Sequence, residues 1–91
     1  MMNKPDIFQD TPTHLSAYEV LVAKASSHVI AGEYGAAARA FERAGGLAKT
    51  DPEIEIAFTL AAAAFVLVGN KTHAMDDLDI AESFDSSQHV S

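Results

Sequence analysis

Apolar residues recur every three to four positions along most of the chain, which is the spacing of one face of an α-helix. The pattern predicts an all-α fold of four antiparallel helices, over about residues 13–31, 33–44, 51–68 and 71–84. Gly32 ends the first helix, and Gly45-Gly46 is expected to stop or fray the second, because glycine destabilises helix interiors. The third helix starts at Thr50-Asp51-Pro52-Glu53, capped by either Thr50 or Asp51.

Each helix has a predicted buried face. In the first helix it contains Leu15, Tyr18, Leu21, Val22, Ala25 and Val29. In the second it contains Tyr34, Ala37, Ala38, Phe41 and Ala44. In the fourth, the residues expected to face inward are Ala74, Met75, Leu78, Ala81 and Phe84, and those expected to face mostly outward are Asp76, Asp77, Asp79 and Glu82.

The third helix is apolar on all sides, since Thr59 is the only polar residue between Ile56 and Val68. A bilayer span needs roughly 20 apolar residues, so this run predicts no membrane span. A helix that is apolar all round must be covered all round. We expect part of it to face a partner, either a second copy or another protein; the alternative is a central helix covered wholly within the chain.

The chain repeats itself at a spacing of 37 residues, which indicates one supersecondary unit used twice. The matching pairs are Leu21 and Phe58, Ala25 and Ala62, Val29 and Val66, Ile30 and Leu67, Gly32 and Gly69, Ala37 and Ala74, Phe41 and Leu78, and Ala44 and Ala81. Each unit is predicted to be two helices around a turn at glycine. We therefore divide the chain into a mobile N-terminal arm over residues 1–12, a helical domain over 13–84 and a disordered polar tail over 85–91.

Composition narrows the possible functions. The 91 residues include no cysteine, which excludes disulfides and thiolate sites and is compatible with a cytoplasmic location. Residues 1–50 carry five acids and five bases, whereas residues 51–91 carry eight acids and one base and hold the whole net charge of −7. An acidic half repels phosphate backbones, so we expect no direct nucleic-acid binding. It either attracts a basic partner or simply keeps the surface solvated.

The residues that usually build catalytic or metal sites are present but badly spaced. No two of the four histidines lie three or four positions apart, as a helical metal pair requires. Asp76, Asp77 and Asp79 lack the glycine and distal glutamate of a calcium loop. We therefore predict no metal, no cofactor and no enzymatic activity.

The spacing of Gly32, Tyr34, Ala37, Phe41 and Ala44 resembles the tetratricopeptide repeat, and Gly69, Ala74, Leu78 and Ala81 repeat it. The resemblance covers about residues 15–84 and implies two helix-turn-helix pairs that bind another protein. The period of 37 is about three longer than usual for that family, and two repeats are fewer than a solenoid normally needs.

A second resemblance, carried by Tyr18, Ala25, Tyr34, Ala37, Ala38, Phe41, Ala44 and Ala48, is to the bacterial family that negatively regulates AraC-type activators (the ANR family). It implies a protein that binds and inhibits a transcription factor. The acidic C-terminal half and the apolar third helix are also similar to those of the small helical-repeat proteins that serve as cytoplasmic chaperones for secretion subunits, notably in type III systems.

We predict a non-catalytic module that holds an amphipathic helix of a partner in an apolar groove, as a chaperone or adaptor, with the ANR-type regulator as the alternative. The tetratricopeptide resemblance implies that the first helix of each pair lines this groove. The partner-binding residues predicted on that basis are Val22, Ser26, Val29, Ile56, Thr59, Ala63 and Val66. Some or all of them could instead be plain core. A homodimer through the third helix remains open beside a different protein partner.

Overall fold

The computed structural model describes residues 15–85, and these form four α-helices and no strand. The helices are α1 (Ala17–Ile30), α2 (Tyr34–Leu47), α3 (Asp51–Leu67) and α4 (Lys71–Ser83). The all-α prediction is confirmed. The predicted N-terminal arm and residues 86–91 of the predicted tail lie outside the described residues.

The first helix starts later than predicted, because Ser16 caps it. The Ser16 hydroxyl accepts a hydrogen bond from the Glu19 backbone N–H at 3.1 Å, and the Glu19 carboxylate accepts one from the Ser16 N–H at 2.9 Å. This reciprocal pair is a capping box, which satisfies two backbone donors that the helix itself leaves free. A start near residue 13 is therefore wrong.

The second helix runs through both glycines and ends at Leu47, a little beyond Ala44 and one residue after the predicted stop or fray at Gly45-Gly46. The reason for Gly45 is packing against α3. A Cβ atom on Gly45 would lie 2.4 Å from Cε2 of Phe58, so only glycine lets the Phe58 ring approach the α2 backbone this closely. At the next helix start, the Thr50 hydroxyl accepts from the Glu53 N–H, which identifies Thr50 as the cap.

The turns inside the two helix pairs have the same geometry. Gly32 has φ +82° and Gly69 has φ +80°, a region that glycine adopts without strain. After α1, the N–H of Glu33 donates to the carbonyl of His28, and after α3 the N–H of Asn70 donates to that of Phe65. Both are Schellman motifs, in which a left-handed glycine closes the last helical turn. The 37-residue repeat is thus a repeat of local structure as well as of sequence.

Each helix packs mainly on its neighbour in the chain: α1 on α2, α2 on α3 and α3 on α4. The core between them consists of small side chains around two phenylalanines, Phe41 and Phe65. Its alanines are Ala25, Ala37, Ala38, Ala61, Ala62, Ala64 and Ala74. Small side chains let helix backbones approach closely.

The predicted buried faces of the first and fourth helices need correction. On α4, Asp77 is 3% exposed whereas Met75 is 64% and Leu78 is 41% exposed, the reverse of the expectation. Because α4 packs mainly on α3, only its narrow stripe at Ala74, Asp77 and Ala81 is buried. The same one-sided packing of α1 on α2 leaves part of its predicted stripe exposed, at Leu15 and Val29.

Candidate functional site

The apolar helix α3 is covered on one side only. Ala57, Ala61, Ala62, Ala64 and Phe65 are buried against the neighbouring helices. The opposite side exposes Ile56, Leu60, Val66 and Leu67, which are between 39% and 63% accessible. Within residues 15–85, α3 is therefore not covered all round. No helix in the described part of the chain is long and apolar enough to cross a membrane.

This exposed side of α3 borders a groove. Helices α1 and α3 form its walls without packing closely on each other, and α2 forms its floor. Its volume is about 410 Å³, and its lining residues are Ser26, Val29, Ile30, Tyr34, Phe41, Leu60, Ala63, Ala64 and Leu67. We call this the α1–α3 groove.

The α1–α3 groove has no charged residue in its lining, and only Ser26 and Tyr34 have polar side-chain atoms. Such a surface offers hydrophobic contact area rather than groups for proton transfer or metal binding. Among residues 15–85, no group of three or more His, Cys, Asp or Glu is placed to hold a metal ion. The groove is suited to taking apolar side chains out of water.

The seven predicted site residues occupy three environments. Ser26, Val29 and Ala63 line the α1–α3 groove. Ile56, Thr59 and Val66 are exposed on α3 but lie outside the groove lining. Val22 is half-buried and packs against the core.

Six lining residues were missed by sequence reasoning: Ile30, Tyr34, Phe41, Leu60, Ala64 and Leu67. Ile30 and Leu67 occupy the same repeat position, two residues before the turn glycine, and are 88% and 63% exposed. One sequence signal could have identified Ile30 and Leu67 as groove residues. Both are apolar, recur beside a helix end, and lie outside the predicted buried stripe. Phe41 was assigned to the core, and it contributes to both the core and the groove floor.

A second cavity lies between α1 and α2 and is bordered by basic side chains. Its volume is about 240 Å³, and its lining residues are Leu21, Lys24, His28, Ala36, Arg39, Ala40 and Arg43. We call it the basic pocket. His28 pairs with Glu33, with 2.7 Å between Nδ1 and Oε1, whereas Lys24, Arg39 and Arg43 have no ion pair within the described residues. Three unpaired cations thus face one cavity in an acidic protein.

A buried carboxyl group lies between α2 and α4. Burial, a hydrogen bond with the Glu42 side chain and the charges of Glu42 and Asp76 together raise the pKa of Asp77 to about 7, and burial has the largest effect. The Oδ2 atom of Asp77 is buried and has no hydrogen-bond partner. A protonated Asp77 relieves both the desolvation and the repulsion from Glu42.

A third, more polar cavity lies where α1 begins and α2 gives way to α3, next to Tyr18 and Glu53. Burial raises the pKa of the Tyr18 hydroxyl, and the charges of Glu53 and Glu19 add to this effect. A phenol held in its neutral form is a hydrogen-bonding group here, not a base.

Comparison with protein-family models, curated proteins and solved structures found no match to this chain. The resemblances to tetratricopeptide repeats and to the ANR family therefore stay predictions.

Proposed function

We propose that this protein is a non-catalytic binding module that holds an amphipathic helix of a partner protein in the α1–α3 groove, as a cytoplasmic chaperone or adaptor. The observation that carries the proposal is an uncharged groove of about 410 Å³ that continues onto the exposed apolar side of α3. The cytoplasmic location is part of the proposal, since a chain without cysteine needs no oxidising compartment to fold.

The groove geometry favours a helix as the occupant. Leu60, Ala63 and Leu67 follow one another at helical spacing along the α3 wall and span roughly 10 Å, or two turns, at 1.5 Å per residue. A partner helix with apolar residues at positions i, i+3 or i+4, and i+7 presents a matching ridge. Its apolar side chains would meet Val29 and Ile30 on the other wall and Phe41 on the floor.

Hydrophobic burial supplies the affinity in this mechanism. Each Å² of apolar surface taken out of water contributes about 25 cal/mol. Ile30 and Leu67, at one end of the groove, are the most exposed of its large side chains and so have the most surface to bury on binding. A partner that is aggregation-prone when free would be kept soluble by the same contact, which is how a chaperone acts.

An affinity capture with two arginine variants tests this proposal. Ala63→Arg puts a charged side chain into the groove wall, and Ala23→Arg adds the same side chain at an exposed α1 position outside the groove lining. Proteins captured from the native host by wild type and by Ala23→Arg, but lost with Ala63→Arg, would be groove partners. Circular dichroism verifies that both variants fold.

The captured protein then decides between the forms of the proposal. Synthetic peptides from it should bind wild type as helices, with binding abolished by Ala63→Arg. A secretion subunit as the partner would support a chaperone, and a transcription factor would support the ANR-type alternative. Partner binding that is unchanged in Ala63→Arg would show that the groove is not the binding site. A stable homodimer that Ala63→Arg dissociates would show that the groove serves self-association instead.

A further inference from the structure

The 37-residue repeat allows the packing inside the chain to be compared with its two ends. Helix α3 covers the face of α2 that contains Ala38, Phe41 and Gly45, and the Phe58 ring over Gly45 marks the contact. Ala38 is fully buried there and Phe41 is 5% exposed. This α2–α3 interface is where the first helix pair meets the second.

The corresponding face of α4 is exposed. Adding 37 to Ala38 and Phe41 gives Met75 and Leu78, which are 64% and 41% exposed. Met75 is larger than Ala38 and Leu78 is smaller than Phe41, and both are apolar, yet they face solvent. Among residues 15–85, no helix packs on this face of α4, which corresponds to the α2 side of the internal interface.

The α3 side of the internal interface corresponds to an exposed face of α1. Ala57 and Ala61 of α3 are buried, and subtracting 37 from each gives Val20, which is 45% exposed, and the exposed Lys24. Within residues 15–85, α1 and α4 thus each have an exposed face that corresponds to one side of the internal interface. A second copy could supply what each face lacks.

The charges at the two faces are complementary under the same correspondence. Inside the chain, Asp77 of α4 contacts Glu42 of α2. In the repeat, Asp77 corresponds to Ala40, 37 residues earlier, and Glu42 corresponds to Asp79, 37 residues later. Ala40 lines the basic pocket beside Lys24 and Arg43. Glu82 stands on α4 where α2 has Gly45, so a junction between copies is wider than the internal interface. The same order of helices would still set Asp79 of one copy against the basic pocket of the next.

We propose that copies of this chain associate head to tail, with α4 of one copy packed on α1 of the next and Asp79 entering the basic pocket of that next copy. Met75 and Leu78 become buried at the junction, as Ala38 and Phe41 are inside the chain. The contact uses different surfaces on the two copies, so it leaves a free face at each end and builds open chains rather than closed dimers.

The junction leaves the α1–α3 groove open. The groove uses Ser26, Val29 and Ile30 of α1, whereas the junction uses Val20 and Lys24. This self-association is therefore independent of the proposed partner binding, and variants can separate the two.

A charge-swap experiment tests the proposal. Sedimentation velocity over a concentration series measures self-association of wild type, Lys24→Glu, Asp79→Lys and the double variant carrying both changes. Asp79→Lys places like charges together and should weaken association at least about tenfold, since such pairs are strongly unfavourable at interfaces. Lys24→Glu should weaken it less, because Arg39 and Arg43 remain in the pocket. The double variant restores one pair of opposite charges and should associate more strongly than Asp79→Lys alone. Lys49→Glu makes the same charge change at an exposed site outside the basic pocket and should behave as wild type.

Several outcomes would overturn the proposal. Wild type that stays monomeric up to near-millimolar concentration has no such junction. Single variants that associate like wild type, or a double variant that fails to recover although circular dichroism shows it folded, exclude Asp79 and Lys24 as partners. Self-association that is abolished by Ala63→Arg but not by Asp79→Lys would assign the contact to the groove instead.

Discussion

Replacing Asp77 by asparagine should stabilise the protein at neutral and alkaline pH. Asp77 is 3% exposed, faces Glu42, and has a pKa of about 7 in place of the ordinary 3.8. Asparagine has nearly the same shape, has no charge at any pH, and its amide N–H can donate to the Glu42 carboxylate. The substitution thus removes a buried negative charge without opening a cavity.

The sign and size follow from the two pKa values. Between pH 3.8 and about 7 the folded chain holds a proton that the unfolded chain releases, so stability falls as pH rises through this window. Each pKa unit corresponds to about 1.4 kcal/mol, so a rise from 3.8 to about 7 sets the loss by pH 8 at no more than about 4 kcal/mol. Small domains are stable by only about 5–15 kcal/mol, so even half of this loss is large.

Urea denaturation followed by circular dichroism at pH 5 and pH 8 measures the effect. Asp77→Asn should raise the free energy of unfolding at pH 8 by 1 kcal/mol or more, and by clearly less at pH 5, where wild-type Asp77 is protonated. Asp76→Asn, at the exposed neighbouring position, removes the same charge from the same helix and is the matched control. Equal effects of Asp77→Asn at the two pH values, or an effect no larger than that of Asp76→Asn, would refute the reasoning.

Three further predictions concern stability and use thermal or urea unfolding as the measurement. Gly45→Ala should destabilise the protein by about 1–3 kcal/mol, because the new Cβ would collide with Phe58. Gly46→Ala has open space around it and should stabilise the protein by about 0.5–1 kcal/mol. A stabilising Gly45→Ala would contradict the close packing of α2 on α3. Gly32→Ala should cost about 1 kcal/mol because alanine is strained at φ +82°, and no loss would mean that the turn rearranges. Ser16→Ala should cost about 1 kcal/mol by removing the capping box, and an unchanged midpoint would place the start of α1 elsewhere.

Local signals in the sequence were enough to predict much of the fold. The start of the third helix at Thr50-Asp51, the turn at Gly32 and the small-residue face around Ala37 each depend on residues within one or two helical turns. The continuation of α2 through Gly45 could not be predicted in this way, because a glycine is needed there only for the close approach of the Phe58 ring from α3. Without that contact, a glycine pair looks like the end of a helix.

The candidate site was harder to predict for a related reason. A helical stripe shows which residues can be buried, but not how much of the stripe a neighbouring helix covers. Since α4 packs mainly on α3, Met75 stays exposed and Asp77 is buried, although both are compatible with the same helix. The groove likewise depends on the gap between α1 and α3, which no local sequence pattern can predict. The only sequence signal for Ile30 and Leu67 was that they occupy the same position in the repeat.

The packing of each helix on its chain neighbour has a consequence for how the protein folds. The helices of each contact are separated by a short connection, so little loop-closure entropy is lost before contacts form, and such topologies fold within microseconds to milliseconds. The same linear arrangement means that α1 and α4 are each held mainly by one neighbour. Amide hydrogen exchange should therefore be fastest in these two helices and slowest in α2 and α3, with opening that begins at the ends and proceeds inward.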